Sequence, residues 1–196
     1  MKKIFLVTLT SFVAILAGAQ IQFGVKAGLN LANLTFSPAE SGASFSMKPD
    51  FNAGALVFIP INEMFALQPE VMFSGQGSKV KAEAESGTYN FNYINIPVLA
   101  KYHHASGFFA ELGPQVGFNI SAKAKAMGQS TDLKENVKSA DFSGVVGLGF
   151  LSSINLGVDA RYNLGFANIA KEASGVKIKN NVIQVSVFYM FGGQKK

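Results

Sequence analysis

The run INLGVDARYNLGF, residues 154–166, alternates with a period of two. Ile154, Leu156, Val158, Ala160, Tyr162 and Leu164 are apolar or aromatic, and the residues between them are small, polar or charged. Successive side chains of a strand point to opposite faces, so this pattern predicts a strand with one apolar and one polar face. The alternation recurs along the chain. From Gln20 to Leu34, Ile21, Phe23, Val25, Ala27, Leu29 and Leu31 oppose Gln22, Lys26 and Asn30; from Asn181 to Phe191, Ile183, Val185, Val187, Tyr189 and Phe191 oppose Gln184 and Ser186. Further segments at 51–59, 65–76, 88–102, 108–121, 142–150 and 154–166 bring the total to eight strands. Most run about nine to fifteen residues, the length of a tilted strand crossing a bilayer rather than of an average soluble strand.

The connections alternate too. Residues 60–64, 103–107 and 151–153 are short, whereas 35–50, 77–87, 122–141 and 167–180 are long and polar. All four long loops therefore fall at one end, with the three tight turns and both termini at the other. That is the plan of an outer-membrane barrel with its short turns in the periplasm. The predicted fold is all-β, an eight-stranded antiparallel up-and-down transmembrane β-barrel. Its interior is just wide enough for side chains to fill, so a plugged lumen is expected rather than a diffusion pore.

Charge fits this plan. The first residues, Lys2 and Lys3, an apolar run from Ile4 to Leu16 and the sequence Ala17-Gly18-Ala19 describe a signal peptide, residues 1–19, cleaved before Gln20. The barrel domain is then 20–196. It retains 27 charged residues, 15 basic and 12 acidic once the two leader lysines are subtracted, an excess too small to indicate a nucleic-acid partner. Only Lys26, Glu70, Lys101, Glu111, Asp159 and Arg161 fall well inside a strand. All six lie on polar faces, three of each sign. Lipid cannot solvate them, but a lumen can hold them if they pair with one another and with Gln68, Asn95, Gln115, Asn119 and Gln184. An acid and a base two residues apart, Asp159 and Arg161, then mark the inward face.

A soluble lipocalin-type barrel shows the same period with its faces reversed. Long strands, sparse charge-balanced polar faces and segregated loops favour the membrane. Phe51, Phe65, Phe108, Phe142 and Tyr189, near strand ends, suit interfacial girdles. There is no cysteine, so disulfides play no part in stability. Pro69, Pro97 and Pro114 fall inside strands, where each removes a ladder donor, and a local bulge or bend is expected there.

Several motifs bear on chemistry. His103 and His104 are adjacent in a short turn with no nearby acid or thiol, so they read as solvated turn residues rather than a metal site. Placed at the turn end, they supply no general base for a lipid hydrolase at the opposite membrane face. A carboxylate mechanism through Glu111 or Asp159 is the remaining enzymatic alternative. Gly144, Gly147 and Gly149 lack the Lys-Ser/Thr and helix of a phosphate loop, and read as close packing or strand bending. Lysines in the long loops, among them Lys79, Lys81, Lys123, Lys125, Lys177 and Lys179, read either as plain solvation or as bridges to lipopolysaccharide phosphates.

The stretches ALQPEVMFSGQG (66–77), YINIPVLAKY (93–102), FAELGPQVGFNI (109–120) and GVVGLGF (144–150) resemble the small outer-membrane β-barrel domain proteins of Bacteroidetes, the porin-family or PorT-like group. The resemblance spans essentially the mature chain and implies location in the Gram-negative outer membrane. It assigns no activity, although one member of the group is associated with a secretion apparatus. The ending VSVFYMF suits the terminal signal read by the barrel-assembly machinery, with Phe191 as closing residue. The resulting expectation is a monomeric, non-enzymatic barrel without cofactor or metal. Its partners would be outer-membrane lipid, lipopolysaccharide and, during biogenesis, the assembly machinery. Its role would be structural or surface interaction through four long loops, the alternatives being a narrow pore or a secretion-associated barrel.

Overall fold

The computed structural model describes residues 21–37, 43–82, 86–126, 128–171 and 177–191; the expected signal peptide and the tail after Phe191 lie outside them. Ten strands follow in chain order: β1 (Gln22–Ser37), β2 (Ala43–Ser46), β3 (Lys48–Pro60), β4 (Phe65–Ala82), β5 (Ser86–His103), β6 (Phe108–Ala126), β7 (Gln129–Asp132), β8 (Ala140–Leu151), β9 (Leu156–Gly165) and β10 (Lys177–Phe191). Eight of them close an antiparallel ring in the order β1, β3, β4, β5, β6, β8, β9, β10 and back to β1. The closing seam joins the first and last strands, from Phe23 opposite Phe191 to Ser37 opposite Lys177. A closed ring has no free edge, which is what allows a sheet to stand in hydrocarbon.

The two additional strands and much of the extra strand length lie where the sequence pattern predicts loops. Residues 77–81 and 86–87 continue the β4–β5 ladder, from Gly77 opposite Asn90 to Lys81 opposite Ser86. Strand β2 pairs with the end of β4 and β7 with the end of β6. These extensions carry lysines and small residues on their outer side, so they lack the apolar signature used to find the other strands, yet their backbone pairing continues unbroken. At the opposite end the turns are tight. Asn62 Oδ1 accepts from the backbone N–H groups of Met64 and Phe65 at 2.9 and 2.8 Å. Gly107 closes the β5–β6 turn at φ +94°, a region that favours glycine.

The outer face is an apolar belt. Leu29 and Leu148 are each 67% exposed, and the aromatic residues Phe51, Phe65, Phe108, Phe142 and Tyr189 all point outward. On β1 the belt runs from Phe23 to Leu31, and on β10 from Ile183 to Phe191. Nine residues of a tilted strand rise roughly 20 Å, close to the ~25 Å apolar band of an outer-membrane barrel.

The expected bulges at the three prolines are not present. On both sides of each interruption the register is the same: Leu56 pairs with Glu70 and Ile59 with Leu67, Pro69 with Val98 and Met72 with Asn95, Pro97 with Gln115 and Ala100 with Leu112. The ladder drops a step and resumes, because a proline removes one donor without adding a residue. The bulge in β5–β6 lies elsewhere. Asn92 pairs with Ser121 and Tyr93 with Asn119, leaving Ile120 as the extra residue. It shifts the alternation of β6, so Ala122 is buried while Lys123 and Lys125 face out.

Candidate functional site in the lumen

The inward residues of the ring form stacked layers. At the short-turn end Leu56, Phe109, Phe188 and Met190 make an apolar cluster, joined by Phe58 and Leu151. The rings of Phe109 and Phe188 meet edge to face, 6.0 Å between centroids. Glycines on facing strands make room for them. A Cβ at Gly149 would lie 2.2 Å from the Phe109 ring, and one at Gly157 would lie 2.2 Å from the Phe188 ring. His103 belongs to this layer rather than to a solvated turn: its ring stands 5.2 Å from Phe58 and 5.5 Å from Phe109. Only His104 is exposed as expected. Below the cluster an open mouth of about 770 Å³ is lined by Pro60, Met64, Tyr102 and His104 among others.

The next layer holds the six charges singled out in the sequence. Arg161 is the hub. Its Nη1 and Nη2 each lie 2.7 Å from a Glu70 oxygen, its Nε donates to Glu111 Oε1 at 2.5 Å, and its Nη2 lies 3.5 Å from Asp159. Lys26 Nζ bridges Glu70 at 3.0 Å and Asp159 at 2.6 Å. Lys101 Nζ lies 3.3 Å from Glu111, donates to Gln68 Oε1 at 3.1 Å, and sits 3.5 Å from the centre of the Phe109 ring. Gln68 Nε2 donates to Glu70 Oε1 at 2.6 Å, which closes a circuit of contacts through Glu70, Arg161, Glu111, Lys101 and Gln68. All six charged residues are 1 to 4% exposed. Three positive and three negative groups cancel, the condition under which buried ions are tolerated. Gly147 leaves the space Arg161 needs, since a Cβ there would lie 2.9 Å from Arg161 Cγ.

Above the charges is a layer of amides and hydroxyls. Asn30 Nδ2 donates to Ser74 Oγ and the Gly75 carbonyl at 2.9 Å each, Asn52 Nδ2 to Asn30 Oδ1 at 2.9 Å, and Gln115 Nε2 to Ser143 Oγ at 3.0 Å. Gln184 Nε2 reaches Ser186 Oγ at 3.1 Å. Asn95 and Asn119 are buried in the same half of the barrel.

A second apolar cluster closes the hairpin end. Leu34, Phe91, Tyr93, Ala122, Val137 and Ile169 are buried together, with Phe36, Tyr89, Leu133 and Ile178 packed against them. Val137 and Ile169 come from connections that fold over the barrel mouth, held by the Lys138 N–H to Ile169 carbonyl bond at 2.8 Å. The sequence pattern did not reveal either apolar lid, nor the Lys48–Asp50 ion pair near the hairpin end, nor buried Asp141. Lys48, Asp50 and Asp141 fall in segments read as loop. Inward aromatics opposite glycines, Phe109 with Gly149 and Phe188 with Gly157, were the available signal for one lid.

A closed eight-stranded ring, apolar outside and polar within, defines a membrane-spanning β-barrel. The sequence profile of the family described as outer membrane protein beta-barrel domain matches residues 17–171, and the chain belongs to that family. No curated protein matches the chain. Among solved structures it is similar to Neisserial surface protein A, at 16% identity and a TM-score of 0.57, covering 86% of this chain and 97% of that one. It is also similar to the outer membrane protein OprG from Pseudomonas aeruginosa, at 12% identity, a TM-score of 0.46, and 88% and 96% coverage. Ail, the attachment invasion locus protein of Yersinia pestis, shows 14% identity, a TM-score of 0.47, and 86% and 98% coverage. The chain is an outer-membrane β-barrel protein.

Proposed function

We propose that this protein is a non-conducting, non-catalytic barrel whose role is structural or surface interaction, exercised by its hairpin end on the outside of the cell. The observation that carries the reading is the sealed lumen. Among the described residues, two apolar clusters flank a charge-neutral ion cluster and an amide layer, an arrangement that supports a lumen filled by side chains rather than a conducting path. Glu111 and Asp159, the carboxylates available for catalysis, are both engaged with cations. What remains for contact is the hairpin end, where Lys79, Lys81, Lys123, Lys125, Lys177 and Lys179 stand exposed above the apolar belt. Lysines at that level suit the phosphates of lipopolysaccharide. The outward position of Phe191 at the end of β10, opposite Phe23, supports reading it as the closing residue recognised by the assembly machinery. A secretion-associated role, implied by the PorT-like resemblance, has no particular residue in its favour.

The absence of cysteine allows a clean topological test. Ser130→Cys, in β7, is expected to react with a membrane-impermeant maleimide on intact cells, and Ser106→Cys, in the β5–β6 turn, only after the outer membrane is opened. The reverse pattern would overturn the reading.

A further inference from the structure

Between the ion cluster and the hairpin-end lid lies a cavity of about 10 Å³, room for one water-sized guest, lined by Gln76, Asn95, Gln115, Asp141, Asn163 and Asn180. Three oxygens of this wall receive no hydrogen bond among the described residues: Asp141 Oδ1, Asn163 Oδ1 and Asn180 Oδ1. Their residues are 7, 3 and 3% exposed.

The surrounding network explains why acceptors collect here. Asn163 Nδ2 is directed to Gln184 Oε1 at 3.4 Å, and Asn180 Nδ2 donates to Gln76 Oε1. Gln76 Nε2 donates in turn to Ser74 Oγ at 2.9 Å, and Gln115 Nε2 to Ser143 Oγ at 3.0 Å. Each of these amides directs one N–H to a neighbour, while the side-chain oxygens of Asn163 and Asn180 stay without a donor among the described residues. Asp141 forms no ion pair among the described residues, unlike the carboxylates of the ion cluster. The Lys134 ammonium, which reaches this end of the lumen, is held by the carbonyl and side-chain oxygens of Asn119. A buried carboxylate without an ion pair, lined by unpartnered amide oxygens, is stabilised when a positive charge joins it.

We propose that this cavity binds one bare alkali cation, Na⁺ or K⁺, through Asp141 and the side-chain oxygens of Asn163 and Asn180. An all-oxygen donor set suits hard cations. One carboxylate among neutral amides balances a single positive charge, whereas a divalent ion would leave net charge buried. The volume admits an ion without its water shell. Because lids close the lumen above and below, the ion enters during folding and exchanges slowly.

The test refolds the mature protein into detergent in sodium, potassium or N-methylglucamine chloride at equal ionic strength, and crystallises it from thallium(I) acetate. A saturable rise in melting temperature is expected with Na⁺ or K⁺, about 3 to 6 °C at tenfold saturation. The rise is lost in Asp141→Asn, and thallium gives an anomalous peak beside Asp141 in the wild-type protein. If Asp141→Asn does not fold, Asn163→Leu, which removes one oxygen and fills the space, serves as the second variant. Equal melting temperatures in all three salts with no thallium peak would overturn the proposal, showing that water, a proton or the Tyr93 hydroxyl satisfies Asp141. An ion effect of undiminished size in both variants would overturn it too.

Discussion

Replacing Arg161 by Met isolates the electrostatic contribution of the lumen from its packing. Methionine fills most of the same space beside Gly147, so the loss is mainly that of the guanidinium. Glu70, Glu111 and Asp159 would then face only Lys26 and Lys101, with one negative charge unbalanced in a buried cluster. Removing one partner of a buried ion pair costs about 3 to 5 kcal/mol. The bidentate contact with Glu70 and the short contact with Glu111 place this case toward the upper part of that range. The companion substitution Glu70→Gln alone leaves the opposite imbalance and should cost a similar amount. Combined, the two restore two charges of each sign. The double variant is therefore expected to be more stable than the sum of the single losses predicts, with a coupling of about 1 to 3 kcal/mol. Urea-dependent folding in lipid vesicles, followed by gel mobility, measures all four proteins, and the absence of tryptophan makes gel mobility preferable to tryptophan fluorescence. A cost under about 1 kcal/mol for Arg161→Met, or additivity within about 0.5 kcal/mol, would refute the view that the cluster is a charge-balanced unit.

Two further outcomes follow from the facing of residues. Ala160, outward on β9 and level with the middle of the apolar belt, should not accept a charge: Ala160→Arg is expected to cost about 2 to 4 kcal/mol in the same vesicle assay, whereas Thr35→Arg, above the belt, should change stability by about 0.5 kcal/mol or less. Equal costs at the two sites would mean that the outer face is assigned wrongly. Gly157→Ala places a methyl group 2.2 Å from the Phe188 ring, so the turn-end cluster must repack at a cost of about 1 to 3 kcal/mol. Unchanged stability in the same urea titration would show that the Phe188 ring is free to move aside.

Strand alternation made the ring legible because each lipid-facing residue had to be apolar while its neighbours did not. The same reasoning picked out Lys26, Glu70, Lys101, Glu111, Asp159 and Arg161, since a charge flanked by apolar residues inside a strand has only the lumen to face. Legibility ended where lipid contact ends. Beyond the belt, strand residues such as Lys79, Lys81, Lys123 and Lys125 face water, and backbone pairing rather than side-chain pattern keeps them in the sheet. Lys48, Asp50 and Asp141 were hidden for that reason. The lids were hidden for another: Phe109 and Phe188 alternate correctly as inward residues, but their apolar character runs against a polar inner face. Only the facing glycines Gly149 and Gly157, on other strands, explain how the rings fit. Those pairings depend on register, which one strand's sequence does not contain. Of the bulge or bend expected at the prolines, the register excludes the bulge, because a missing donor does not by itself add a residue to a strand.

Single-channel recording of the purified, refolded protein in a planar lipid bilayer tests the sealed lumen most directly. The wild-type protein is expected to show no steady ohmic conductance in molar salt. Long-lived openings, with an ion selectivity altered by Asp159→Asn or Arg161→Gln, would contradict it and make the lumen a conduction path.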